Sequence, residues 1–152
     1  MKKVLFYLML IVPFLHAYAN DKEKCEKAHG EYLVGTVVEE PKYRPSKQAW
    51  YSHSDMEVKV GDDVYFVPIN NAFTPDFDTS IKDVPGSLKQ FKVNVEVSMC
   101  GSTFSNDGEL GIHFVHVNCA KPQPRKPDGW LKRSDEEDSV TDSRKYCDKF
   151  SK

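Results

Sequence analysis

Phe91, Val93, Val95, Val97 and Met99 alternate with Lys92, Asn94, Glu96 and Ser98. A period of two sends one set of side chains into a core and the other into water, so this segment is the chain's clearest expected strand. Met56, Val58 and Val60 alternate with Glu57 and Lys59 in the same way. Gly61-Asp62-Asp63 then makes a tight turn, and Val64 to Ile69 returns as the hairpin partner. Pro68 cannot donate to a ladder, which places that strand's end at an edge or at a departure from the sheet. Tyr32 to Val38 supplies an earlier strand, with Gly35 as a bend or bulge. Leu110 to Asn118 supplies a later one, after a polar turn region from Gly101 to Glu109. Its apolar residues fall on both faces, as in a central or bulged strand. Between the hairpins, Thr74-Pro75-Asp76 carries helix-start signals, soon stopped by Pro85 and Gly86. Strand, hairpin, short helix and second hairpin is the order of an OB-fold, a five-stranded partly open barrel. A small β-sandwich is the alternative for an all-β chain of this size.

Met1 to Ala19 has the build of an export leader. Lys2 and Lys3 precede an apolar run from Val4 to Leu15, and Ala17-Tyr18-Ala19 offers small residues for cleavage before Asn20. The run is short for a membrane span, and no span is expected in the mature chain. A periplasmic or secreted protein folds under oxidising conditions, where Cys25, Cys100, Cys119 and Cys147 read as two disulfides. Metal ligation would call for close C-x-x-C pairs, which are absent. The barrel order selects the pairing. Cys100 and Cys119 fall at opposite ends of the last expected hairpin, roughly 25 Å apart at about 3.3 Å per residue. The fourth strand runs antiparallel to the first, which brings Cys100 to Cys25 and leaves Cys119 for Cys147.

The expected organisation is a leader over 1–19, a β-barrel domain over 20–119 and a tail over 120–152. Lys121 to Pro127 is proline-rich and expected to be extended, near polyproline II. Trp130 is the tail's apolar anchor, Ser134 to Thr141 is an acidic mobile stretch, and Cys147 ties down the far end. The net charge of −2 becomes more negative once Lys2 and Lys3 are removed. Without a concentrated basic face, nucleic acid is not an expected partner.

The segment 111–118, Gly-Ile-His-Phe-Val-His-Val-Asn, is the first place to seek chemistry. His113 and His116, three apart, face opposite ways on a regular strand, and only a bulge between them would let both hold one ion. Otherwise one histidine is a hydrogen-bonded interior group and the other lies on the surface. His53 precedes the second strand and Asn70-Asn71 follow the third. With Asn118 and Asp128 these residues are candidates to converge on one barrel end, as a polar pocket or as a cluster that fixes loops. The candidate catalytic set is therefore His53, Asn71, His113, His116 and Asn118. No Ser-His-Asp order, phosphate-binding loop, H-E-x-x-H or paired-cysteine zinc pattern is present, so no cofactor or metal is expected.

Gly-Thr-Val at 35–37, the Asn71 segment, the 111–118 segment and Pro-Asp-Gly-Trp at 127–130 together resemble a group of exported bacterial proteins of uncharacterised function. The Gly-Ile-His-x-x-His-x-Asn core also resembles the YukJ-like family, whose core runs Gly-Ile-His-Asp-Ile-His-Met-Asn. The resemblance maps His113, His116 and Asn118 onto that motif. Phe114 stands where the family carries an acid, so carboxylate-dependent chemistry does not carry over. Neither group implies a reaction.

These readings favour a small exported β-barrel binding protein, acting on another protein or an envelope component as an inhibitor or immunity-type factor. Tyr43, Trp50 and Tyr51, in the first long loop, are the candidate contacts. One alternative is a histidine-dependent, metal-assisted hydrolase or nuclease-like enzyme. Another is a structural envelope protein. The sequence sets no oligomeric state.

Overall fold

The computed structural model describes residues 12–121, 123 and 126–150, with backbone alone for 12–19. Most of the expected leader lies outside the described residues. A helix, α1 (Val12–Lys27), runs through the expected cleavage point into the segment that carries Cys25. Among the described residues no helix is long and apolar enough to cross a membrane.

The protein is mainly β, as expected. Its strands are β1 (Glu31–Arg44), β2 (His53–Val60), β3 (Asp63–Asn70), β4 (Glu96–Asn106), β5 (Glu109–His113) and β6 (Trp130–Arg133). They form one mixed six-stranded sheet in the order β1-β2-β3-β5-β4-β6, and β1 also pairs with β4. Five strands thus close a ring that is not a true barrel. Its weakest seam is the parallel contact of β3 with β5, limited to Tyr65 with Leu110 and Phe66 with Gly111. That contact ends before Pro68, so the missing N–H meets no β5 partner there.

Alternation fills the ring. Met56 and Val58 of β2, Val67 and Ile69 of β3, Val97 and Met99 of β4 and Ile112 of β5 meet in one buried cluster. Val37, Leu88, Phe91, Val115 and Leu131 complete it. Each such side chain contributes about 1.5–3 kcal/mol when fully buried.

Several expectations require correction. No α-helix follows Thr74. The Thr74 hydroxyl donates backward to the Asn71 carbonyl at 2.8 Å, and Asp76 accepts from Ser87 N and Oγ, so the segment is a tied loop with short 3-10 turns. The strand read from Phe91 begins at Glu96, because Asn94 adopts a left-handed φ of 73° and donates its N–H to Val37 O. Val93 is 46% exposed as a result. At its other end β4 continues to Asn106, and the turn narrows to Asp107 and Gly108, both at positive φ. Gly101 lies inside the strand; a Cβ there would sit 2.4 Å from His113 O. The strand read to Asn118 stops at His113, since Phe114 has φ 56°.

β1 extends through Pro41 to Arg44, with register shifts against β2 between Val37 and Lys42 that accommodate the proline. The first loop is therefore shorter than expected, and Tyr43 belongs to a strand, opposite Ser54.

The tail also departs from expectation. Trp130–Arg133 is a sixth strand, paired with β4 from Val97 to Cys100. Gln123 and Lys126 pair with each other through two backbone hydrogen bonds, so these residues are not extended polyproline; Pro122, Pro124 and Arg125 lie outside the described residues. The stretch expected to be mobile ends at buried Thr141. Its Oγ1 donates to Val115 O at 2.7 Å and accepts from Leu131 N at 3.0 Å.

Both expected disulfides form. Cys25–Cys100 has a Cα separation of 5.6 Å and Cys119–Cys147 one of 5.2 Å. The antiparallel β1–β4 ladder sets the first pair by placing Tyr32 opposite Cys100. Cys100 is mid-strand, not at the turn end. Trp130 packs on this disulfide with Tyr32. Two oxidised pairs fit an oxidising extracellular compartment.

Candidate functional site

Loop 45–52 joins β1 to β2 and contains a 3-10 turn, Ala49–Tyr51. Tyr51 is 43% exposed, with its ring edge-on to Phe150 at 5.5 Å. Lys149 Nζ lies 5.7 Å from the Trp50 ring centre. The C-terminal segment thus clamps the loop, and Cys119–Cys147 holds that segment in place.

The ring contacts continue inward. Phe150 packs on Phe73 at 5.0 Å, and Phe73 stacks on His116 at 3.8 Å with an interplanar angle of 8°. Phe114 meets His116 edge-on at 6.1 Å and His113 at 4.2 Å, and Phe104 reaches His113 at 5.1 Å. A chain of aromatic contacts therefore runs from Tyr51 to Phe104. The left-handed break at Phe114 is what turns His116 off the β5 line and onto Phe73.

All three candidate histidines belong to this region. His53 Nδ1 donates to Tyr51 O at 2.8 Å, and His116 Nδ1 donates to Val117 O at 2.8 Å. A carbonyl only accepts, so both rings carry the proton on Nδ1 and present Nε2 as an acceptor. Burial holds all three below the usual imidazole range, and the Arg44 charge adds to the effect at His53. His116 is depressed to about 4, mainly by burial, with smaller contributions from the charges of His53 and His113. All three rings are therefore neutral at pH 7.

The two asparagines do not join them. Asn71 is fully buried; its Oδ1 accepts from Ser54 Oγ at 2.7 Å, and its Nδ2 donates to Ser52 Oγ at 3.2 Å. It fixes the end of the first loop. Asn118 donates from Nδ2 to Lys126 O and accepts from Ala120 N, while its own N–H donates to Asp128. It ties Ala120, Lys126 and Asp128 to one point. Among the described residues no group of three or more His, Cys, Asp or Glu is placed to hold a metal ion.

Sequence reading missed the rings that connect the set: Phe73, Phe104, Phe114 and Phe150. It also missed the apolar outer face of β3, whose signal is the unbroken run Val64 to Ile69, too apolar for a strand with one wet face.

No protein-family profile matches the chain, and no curated protein matches it in sequence. Among solved structures, a murine DNA-binding protein bound to double-stranded DNA aligns at a TM-score of 0.38 and 10% identity, over 80% of this chain and 51% of the other. The chain spans about half the length of that protein, and at this TM-score the likeness carries neither function nor ligand across.

Proposed function

We propose that this chain is an exported OB-fold-like binding protein that captures a protein partner stoichiometrically, as an inhibitor or immunity-type factor, without turnover. The observation that carries this reading is the clamped loop 49–51. A partly exposed tyrosine and a half-buried tryptophan are held by Phe150 and Lys149 before any partner arrives. Aromatic side chains fixed in advance make large contacts with little further loss of conformational freedom, and they dominate many protein interfaces. Export supplies the setting: the leader-like amino terminus and two disulfides suit a periplasmic or secreted role. Trp50→Ala and Tyr51→Ala should weaken capture of the partner while leaving the circular dichroism spectrum unchanged. Undiminished capture would remove this surface.

One observation favours a second reading as a histidine-dependent, metal-assisted hydrolase or nuclease-like enzyme. His53 and His116 both leave Nε2 as an acceptor, the form a general base or metal ligand requires. Metal analysis, with an activity screen of wild type against His113→Ala and His116→Ala, tests it. Histidine-dependent turnover with stoichiometric metal would replace the binding reading.

A further inference from the structure

At the turn end of the β2–β3 hairpin, away from loop 45–52, lies a cleft of about 610 Å³. Glu57, Asp62, Asp63 and Glu109 line it together with Val64 and Phe66. The register explains this grouping. Val67 and Ile69 point into the core, so Val64 and Phe66 point outward; Glu57 stands opposite Phe66, and Phe66 neighbours Gly111 across the β3–β5 seam. Val64 is 45% exposed. Gly111 leaves room beside it for the Phe104 ring, which a Cβ at that position would strike at 2.2 Å.

Two features in combination mark this cleft. Several acids elsewhere are matched within the chain: Asp55 by Arg44, Asp83 by Lys89, Glu40 by Lys92 and Asp135 by Arg133. Among the described residues no ion pair reaches the four cleft carboxylates, and no basic side chain lines the cleft. Lys42 of β1 is hydrogen-bonded to Glu39 and adds a weaker charge interaction with Glu57, and Lys59 of β2 stands opposite Val64 without lining the cleft. The chain's lysines also cover the rings of Trp50, Trp130 and Tyr146, whereas no lysine or arginine contact of this kind covers Phe66 among the described residues. The carboxylates are too dispersed for one metal ion. An apolar floor with an aromatic ring, rimmed by carboxylates of one sign, fits a ligand with several spaced cations on apolar stems.

We infer that this cleft is a docking site for a basic, amphipathic peptide segment of a partner protein, with arginine or lysine heads on Glu57, Asp62, Asp63 and Glu109 and apolar stems on Val64 and Phe66. The site adds partner chemistry to the binding reading above and rests on it only for the existence of a protein partner; its surface is separate from loop 49–51. Anionic polymers such as DNA are repelled from it by charge.

The probe is a synthetic heptapeptide alternating arginine and leucine, added to isotope-labelled full chain with both disulfides intact and followed by amide chemical shifts. Shifts should concentrate at residues 57, 62–66 and 108–111 and weaken with added salt. Glu57→Gln/Asp63→Asn/Glu109→Gln should bind at least about tenfold more weakly, while Glu136→Gln/Glu137→Gln/Asp138→Asn, with the same loss of charge, stays within about twofold of wild type. The Trp50→Ala variant should bind the peptide as wild type does, so the cleft and the loop stand or fall separately. Equal weakening in both triple variants, shifts outside the cleft, or no binding would overturn the inference.

Discussion

His116 lies flat on Phe73, with ring centres 3.8 Å apart and planes 8° from parallel. Phe73 closes the 3-10 turn after β3 and His116 follows β5, so the stack bridges two segments that the sheet joins only at Tyr65 and Phe66. Phe73 O also accepts the Ser143 N–H, which brings the C-terminal segment to the same point. This stack is the hub through which the loop, the ring and the tail hold one another.

Acid should loosen the hub. His116 titrates near 4 in the folded chain, below the 6.5 of a free imidazole, so between those values the unfolded state binds more protons. Stability is then full above about pH 6.5 and falls as pH drops toward 4, by up to about 3 kcal/mol from this group. His53 and His113 act in the same direction. Urea midpoints measured from pH 7.5 to 4.5 should fall more steeply for wild type than for His116→Phe, which keeps a ring on Phe73 but cannot titrate.

The disulfides should contribute unequally. Cys25–Cys100 spans 75 residues and Cys119–Cys147 spans 28, and either is expected to stabilise by about 3–5 kcal/mol, the longer loop by more. Cys25→Ser/Cys100→Ser should lower the melting temperature further than Cys119→Ser/Cys147→Ser. It should also change Trp130 emission, since that ring packs on the first bond. The second pair's loss should act on loop 49–51 by freeing Lys149 and Phe150, seen as faster proteolysis of the C-terminal segment.

Lys132 is nearly buried in β6 and reaches Asp21 of α1 at 2.7 Å. Asp21 lies beyond the expected cleavage point, so export would leave this pair intact. Asp21→Ala strands a poorly hydrated cation and should destabilise by about 2 kcal/mol or more. Asp21→Ala/Lys132→Met should recover most of that loss in a denaturant titration, because the stranded charge is then gone.

The sequence already disclosed what depends on short-range pattern. The β2–β3 hairpin was readable from its alternation and from Gly61, which takes a φ of 62° in its turn. Both disulfides followed from strand order, because the antiparallel β1–β4 ladder fixes Cys100 near Cys25 whatever the details of the turns. The misses are places where one residue's backbone overrides a pattern. Asn94 and Phe114 adopt left-handed conformations; the first delays the start of β4 inside an alternating run, and the second ends β5 inside a run expected to continue to Asn118. β6 has only four residues and buries Lys132, so no periodicity announces it. The histidine spacing did not reveal the stack on Phe73, a contact across 43 positions of chain made only when the ring closes.

Capture of a protein partner by loop 49–51 is open to photo-cross-linking from position 51. With Tyr51 replaced by benzoylphenylalanine in the exported chain, irradiation of intact cells should give one discrete protein adduct. Trp50→Ala should abolish it, and the same label at exposed position 80 should not reproduce it. No adduct from position 51, or the same adducts from both positions, would mean that loop 49–51 is not the capture surface.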